Sequence, residues 1–242
     1  MGGGCARDSG GGWPLTPPQV YPMMKERRSP SHGSREQGFD LSYQLARKQL
    51  ARITDLEEQC RKSGARYMGP DKIIIDYLNR PYHITLPDVE LSLEDSPGSV
   101  AIEVPLTGKI LILHYFNQAP GTPATGRLIT FKQIPGGVSY YPAFFQRVIA
   151  PLVNRFGKNP DLLMKAAAPF GGYKAPYGDI SVTIDAFPRV PVTLVLWKGD
   201  EEVAPAGNVL FDANISDYLP TEDVTALCGN IVWKMVKDIP SA

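Results

Sequence analysis

The chain has 242 residues, an apolar fraction of 43%, and 25 Lys plus Arg balanced by 25 Asp plus Glu. Length and apolarity fit a globular protein with a sizeable core. Zero net charge excludes a global field steering the chain to nucleic acid or to an anionic membrane surface. The three cysteines, Cys5, Cys60 and Cys228, are far apart with no CxxC spacing. They argue against a disulfide framework, fit a reducing, cytoplasmic setting, and are too few for the four thiolates of an iron–sulfur cluster. The longest apolar runs, near residues 73 and 109, fall far short of the roughly 20 residues of a membrane helix.

Residues 1–39 hold eight of the 23 glycines and five of the 23 prolines and show no apolar periodicity, the composition of a disordered tail. MGGGCARDSGGGW has no apolar core of a secretory signal, and initiation at Met23 or Met24 is a further expectation. The basic cluster KERRSPSHGSR is mixed with glutamate and reads as a solvated segment rather than a nucleic-acid contact.

The folded part is expected over 40–240. Leu41, Leu45, Ala46, Leu50, Ile53, Leu56 and Cys60 recur at helical spacing, and Gly64 marks a stop, which predicts one amphipathic helix. KIIIDYLNRPYHITLP predicts a hairpin turning at Asn79-Arg80, with Tyr77 opposite Tyr82 and Asp76 opposite His83, so His83 has a cross-strand role before it has a ligand role. VELSLEDSPGSVAIEVPL has strand-like pieces around a Ser-Pro-Gly turn. KILILHYFNQ is apolar nearly all round and is read as a helix starting near Pro105 to Thr107.

RLITFKQI predicts a strand closed by Pro135-Gly136-Gly137. YYPAFFQRVIAPLVNRFG predicts a helix kinked at Pro151 and ended by Gly157, and PDLLMKAA a short helix. DISVTIDAFPRVPVTLVLW predicts two strands around Pro188 to Pro191, with Ile180, Val182 and Ile184 on one face opposite Val192, Leu194 and Leu196. Val195 and Trp197 make the second strand's other face apolar too, which places it centrally. NVLFD is a further strand. PTEDVTALCGNIVWKMVKD is a closing helix with Thr221 as N-cap, acidic residues in its first turn, and Val224, Leu227, Cys228, Ile231 and Met235 facing inward. Helices and hairpins without a repeated βα rhythm define an α+β fold: a single domain with a largely antiparallel sheet of hairpins covered by amphipathic helices.

Chemical motifs are sparse. GTPATGRL spaces two glycines like a phosphate loop, but Arg127 and Leu128 stand where Lys and a hydroxyl are needed. Gly136-Gly137 and Gly171-Gly172 read as turns. His114, inside ILILHYF, is the one imidazole left for site chemistry, either as a satisfied core group or as a pocket-lining ligand or proton donor. The carboxylates Asp179, Asp185, Asp200, Glu201, Glu202, Asp212, Asp217, Glu222 and Asp223 are numerous. DEEVAPAG offers oxygens near a turn but lacks calcium-loop spacing, so a solvated strand end, a hard-cation site and an interaction edge all stay open.

The ordered segments KILILHYF, TGRLITFKQIPGG, VTLVLWKGDEE and NVLFDANISDYLPTEDV resemble an uncharacterised domain-of-unknown-function family of anaerobic bacteria and archaea. Its marks are an LHY segment, a Trp followed by GDEE and Pro, an LFD segment and a YLP-ED helix start, here spanning about Asp40 to Lys237. The resemblance implies an accessory or binding module in anaerobic one-carbon metabolism, partnered by an iron–sulfur or corrinoid protein, because members are at times fused to or encoded near such domains. Two departures count: this chain lacks a cluster-binding cysteine segment, and Val203-Ala204 replaces an aromatic-then-proline continuation. The family-like positions are His114, Tyr115, Trp197, Gly199, Asp200, Glu201, Glu202, Asp212, Glu222 and Asp223. Of these, His114, Tyr115, Trp197, Asp200, Glu201, Glu202 and Asp212 are the candidate ligand-binding residues, with no metal ligand, catalytic role or cofactor assigned. Two other functions compete: a small-molecule enzyme using His114 with Asp200 to Glu202, and a structural interaction protein docking through the acidic hairpin end.

Overall fold

The computed structural model describes residues 32–93 and 104–238, so much of the predicted Ser-Pro-Gly turn region lies outside the described residues. Helix α1 (His32–Leu50) leads to α2 (Leu56–Ser63), and a first antiparallel sheet follows: β1 (Arg66–Tyr67), β2 (Lys72–Tyr77), β3 (Arg80–Thr85) and β4 (Glu90–Leu93), paired in that order. Helix α3 (Leu106–Gln118) comes next. The second antiparallel sheet has the order β5-β9-β8-β7-β6, built from β5 (Leu128–Thr130), β6 (Tyr173–Lys174), β7 (Ile180–Phe187), β8 (Val190–Trp197) and β9 (Ala206–Asp212). Between β5 and β6 lie α4 (Gly137–Phe144), α5 (Ala150–Phe156) and α6 (Leu162–Ala167), and after β9 come α7 (Ile215–Tyr218) and α8 (Thr221–Asp238). The α+β class is as the sequence predicts, with the strands divided between two antiparallel sheets rather than gathered in one.

The apolar pattern explains the layers. Every inward position predicted for α8 is buried, from Val224 to Met235. The register of β7 and β8 pairs Ile180 with Leu196, Val182 with Leu194 and Ile184 with Val192, and β8 is the central strand. Helix α3 is apolar all round because it is surrounded: α1, α2, α7 and α8 all pack on it, and Ile110 to Leu113, Tyr115 and Phe116 are buried. Among the described residues, no helix is long and apolar enough to cross a membrane.

Local chemistry overrides the sequence pattern in four places. The single helix predicted over 41–60 is two helices, because the Asp55 carboxylate accepts the Glu58 N–H at 2.9 Å and starts α2 afresh. Helix α1 begins at His32, inside the glycine-rich stretch. It buries Ala46 and Leu50, while Leu41 and Leu45 face solvent. The first hairpin turns at Leu78-Asn79, both with positive φ, so Tyr77 pairs with Arg80 and Ile74 with His83; Tyr77 still meets Tyr82 diagonally, ring centroids 5.7 Å apart. Just before Pro151, which has no N–H to continue the α-helical ladder, the chain forms a π-helical turn over Phe145–Ile149 in which the Ala150 N–H donates to the Phe145 carbonyl. Finally, Thr221 does not cap α8 with its side chain: its hydroxyl donates to the Pro135 carbonyl at 2.6 Å and ties the helix start to the segment after β5.

Tyr115 holds the two halves together. Its fully buried ring stacks on Phe187 of β7 at 4.2 Å, its hydroxyl donates to the Ser63 carbonyl at 2.6 Å, and it accepts the Arg189 N–H at 3.1 Å. One side chain thus joins the end of α2 to the β7–β8 turn, where Gly64 leaves room for Pro188. Tyr115→Phe keeps the ring but removes the partner of the buried Ser63 carbonyl and of the part-buried Arg189 N–H, so a loss of about 1–3 kcal/mol is expected. Urea unfolding will show it as a lower midpoint at unchanged slope.

Candidate functional site

The sequence-predicted residues fall in three places. His114 lies on α3 with Nδ1 2.7 Å from an Asp223 carboxylate oxygen in the first turn of α8. A carboxylate only accepts, so Nδ1–H is the donor. Asp223 also sits where a negative charge suits the helix dipole. The imidazole is one-fifth exposed. Tyr115, next to it, points the other way into the core.

Asp212, at the end of β9, is buried and grips the loop after α3. Its oxygens accept the Thr125 N–H at 3.0 Å, the Thr125 hydroxyl at 2.9 Å, the Gly126 N–H at 2.8 Å and the Asn214 N–H at 3.1 Å. Burial alone raises the carboxyl, but these hydrogen bonds outweigh it and hold Asp212 below the ordinary carboxylate range. Asn214 and Tyr218 donate to carbonyls of the same loop. Two amides of GTPATG, those of Thr125 and Gly126, are therefore occupied by the protein's own carboxylate.

Asp200, Glu201 and Glu202 lie in the β8–β9 loop, exposed to solvent. The Asp200 side chain accepts the Val203 and Glu202 N–H groups at 2.7 and 2.9 Å, which hold its carboxyl low and close the loop on itself. A side chain at Gly199 would strike Pro205 at 2.6 Å, and one at Gly157 would strike Pro205 at 2.9 Å, so WKGDEE folds as a tight cap over the end of α5. Trp197 is half-buried and pairs with Ala206. Asp212 and the acidic loop stand at opposite ends of the seven-residue β9, about 20 Å apart. The structure pairs His114 with Asp223, not with Asp200 to Glu202. Among the described residues, no group of three or more His, Cys, Asp or Glu side chains is placed to hold a metal ion.

A second region escaped the sequence reading. Where the first hairpin meets α8, two adjoining hollows of about 250 and 100 Å³ share Tyr77, Tyr82, Trp233 and Lys234. Arg80 and Lys237 complete the rim, and Phe170 and Gly108 lie on its walls. Trp233 is 62% exposed although the apolar face of its helix is buried in the core, and Lys237 lies 5.0 Å from its ring. Tyr77 accepts a hydrogen bond from Asn230 at 3.4 Å and stacks on Phe187 at 4.9 Å, which makes the floor rigid. The sequence signal was present, a Trp off the inward face of α8, but only the fold puts Arg80 and Tyr82 beside it.

Fold and surface define a two-sheet α+β domain with a tightly cross-braced interior and an aromatic, basic groove on one flank. The chain belongs to the family described as Domain of unknown function (DUF3786), whose model matches residues 55–234, from the N-cap of α2 to the last turn of α8. No curated protein and no solved structure matches it.

The Asp212 grip has a testable pH signature. Asp212→Asn presents an NH2 group to amides that now donate to a carboxylate, and a loss of about 1.5–3 kcal/mol is expected at neutral pH. Because the folded carboxyl is held below its unfolded value of about 3.9, the wild-type advantage is full above that value and disappears as pH falls through the lower folded one. Urea midpoints of both proteins from pH 7 to about pH 2 will converge at the acid end.

Proposed function

We propose that the domain is a non-catalytic accessory module that binds a partner protein, the corrinoid or iron–sulfur protein of anaerobic one-carbon metabolism that its sequence resemblance implies. The observation that carries the proposal is Trp233: a large ring left 62% exposed beside a groove, on a helix whose Val224, Leu227, Ile231, Val232 and Met235 are all buried in the core. Exposed aromatic anchors flanked by cations are the residues on which binding energy concentrates. The braced interior supports the same view, since Asp212, Asp200 and Tyr115 already use their polar atoms to hold loops. A tagged full-length chain purified under anaerobic conditions from its natural host will retain a corrinoid- or cluster-bearing protein, visible by absorption and mass analysis. Trp233→Ala, at an exposed position, will lose that protein while its melting temperature is unchanged. A partner-free, colourless preparation of the wild-type chain would overturn the proposal.

One observation favours a second reading. The His114–Asp223 pair, a carboxylate-oriented imidazole with its ring partly exposed, has the form of an acid/base dyad for a small-molecule enzyme. In that case His114→Gln abolishes turnover of a substrate found by metabolite screening. In an accessory module the same variant lowers stability and leaves partner retention intact.

A further inference from the structure

Resting on the accessory role above, we propose that the groove between the β2–β3 hairpin and α8 docks an acidic peptide segment of the partner. One apolar side chain of that segment sits between Tyr82 and Trp233, and its carboxylates meet Arg80 and Lys237. Three observations converge on this occupant. The first is size. Hollows of about 250 and 100 Å³ lie end to end and open to solvent. Each is smaller than the 300–1,000 Å³ that encloses a small molecule, but they suit an extended chain that inserts a side chain and runs on.

The second is charge. Among the described lining residues Arg80 and Lys237 are exposed cations and no carboxylate stands with them, in a chain whose total charge is zero. A local excess of cations on a neutral molecule selects an anionic partner and raises its rate of encounter. The third is rigidity. Tyr77 is fixed by Asn230 and by its stack on Phe187, and Tyr82 packs on Tyr77, so the floor is preformed and little ordering cost attaches to binding. A single-stranded nucleic acid would need a path of cations and successive stacking rings, whereas one ring, Trp233, stands out here.

The test uses the full-length chain and a short fluorescent peptide of Glu and Leu around a central Phe, followed by anisotropy. Its counterpart with Lys in place of Glu, and a labelled oligo-dT, serve as comparisons. The acidic peptide is expected to bind, more weakly as salt rises, and the other two to bind poorly. Trp233→Ala should weaken it by about 30-fold, with Trp233→Phe recovering part of the loss. The double variant Arg80→Glu/Lys237→Glu should reverse the preference toward the Lys peptide. Glu201→Lys/Glu202→Lys, at the far acidic loop, should change nothing. Circular dichroism and thermal melting establish that each variant folds. Absence of binding, equal binding by the charge-reversed variant, or preference for oligo-dT would overturn the proposal. A partner that still copurifies with Arg80→Glu/Lys237→Glu would refute this groove while leaving the accessory role standing.

Discussion

Burial of α3 is the constraint on which the rest of the domain depends. A helix that is apolar on every side has to be enclosed, and α1, α2, α7 and α8 do so. Enclosure strands any polar atom that α3 carries, and the helix carries two polar rings side by side, His114 and Tyr115. Each had to find a partner in another element, and those partners set how the elements dock. Tyr115 reaches Ser63 and Arg189, binding the end of α2 to the β7–β8 turn, and His114 reaches Asp223, fixing the start of α8. Two neighbouring residues thereby fix the positions of three separate parts of the fold.

The segments on which the sequence resemblance rests are partners of one another. His114 of the LHY segment bonds Asp223 of the YLP-ED start, and Tyr115 of LHY stacks at 5.7 Å on Tyr218 of YLP. Asp212 of LFD holds Thr125 and Gly126, and Tyr218 donates to Thr122 in the same loop. The WKGDEE segment closes on itself through Asp200 and on α5 through Pro205. A buried hydrogen bond costs far more to break than it contributes when formed, because the orphaned partner stays buried. Such pairs therefore specify a single arrangement strongly, whatever the domain binds.

What the sequence made legible follows from which interactions are periodic. The central strand β8, the pairing of β7 with β8, and the inward face of α8 were readable because burial repeats every two or 3.6 residues. The break before Asp55, the turn at Leu78-Asn79 and the π turn before Pro151 were not. Each depends on one local contact, a cap, a pair of positive φ angles or a missing N–H, that leaves the apolar count unchanged. The same limit applied to the candidate site. His114 was readable as a polar ring needing a partner, but Asp223 lies 109 residues away and no spacing rule links them. The groove was less visible still, since Arg80, Tyr82 and Trp233 acquire a common surface only when the first sheet packs against α8.

That separation also bears on where function resides. A side chain whose polar atoms are all engaged inside the domain can change its partner only by breaking the fold, so Asp212 and Tyr115 are poorly suited to reversible binding. Trp233, Arg80 and Lys237 are under no such restraint. Their exposed surface contributes little to folding and remains available to a second molecule. In the proposed docking the cross-braced interior also has a role: by fixing Tyr77 through Phe187, and Phe187 through Tyr115, it holds the floor of the groove still. Rigidity built at α3 is delivered, one ring at a time, to the surface where a partner would meet it.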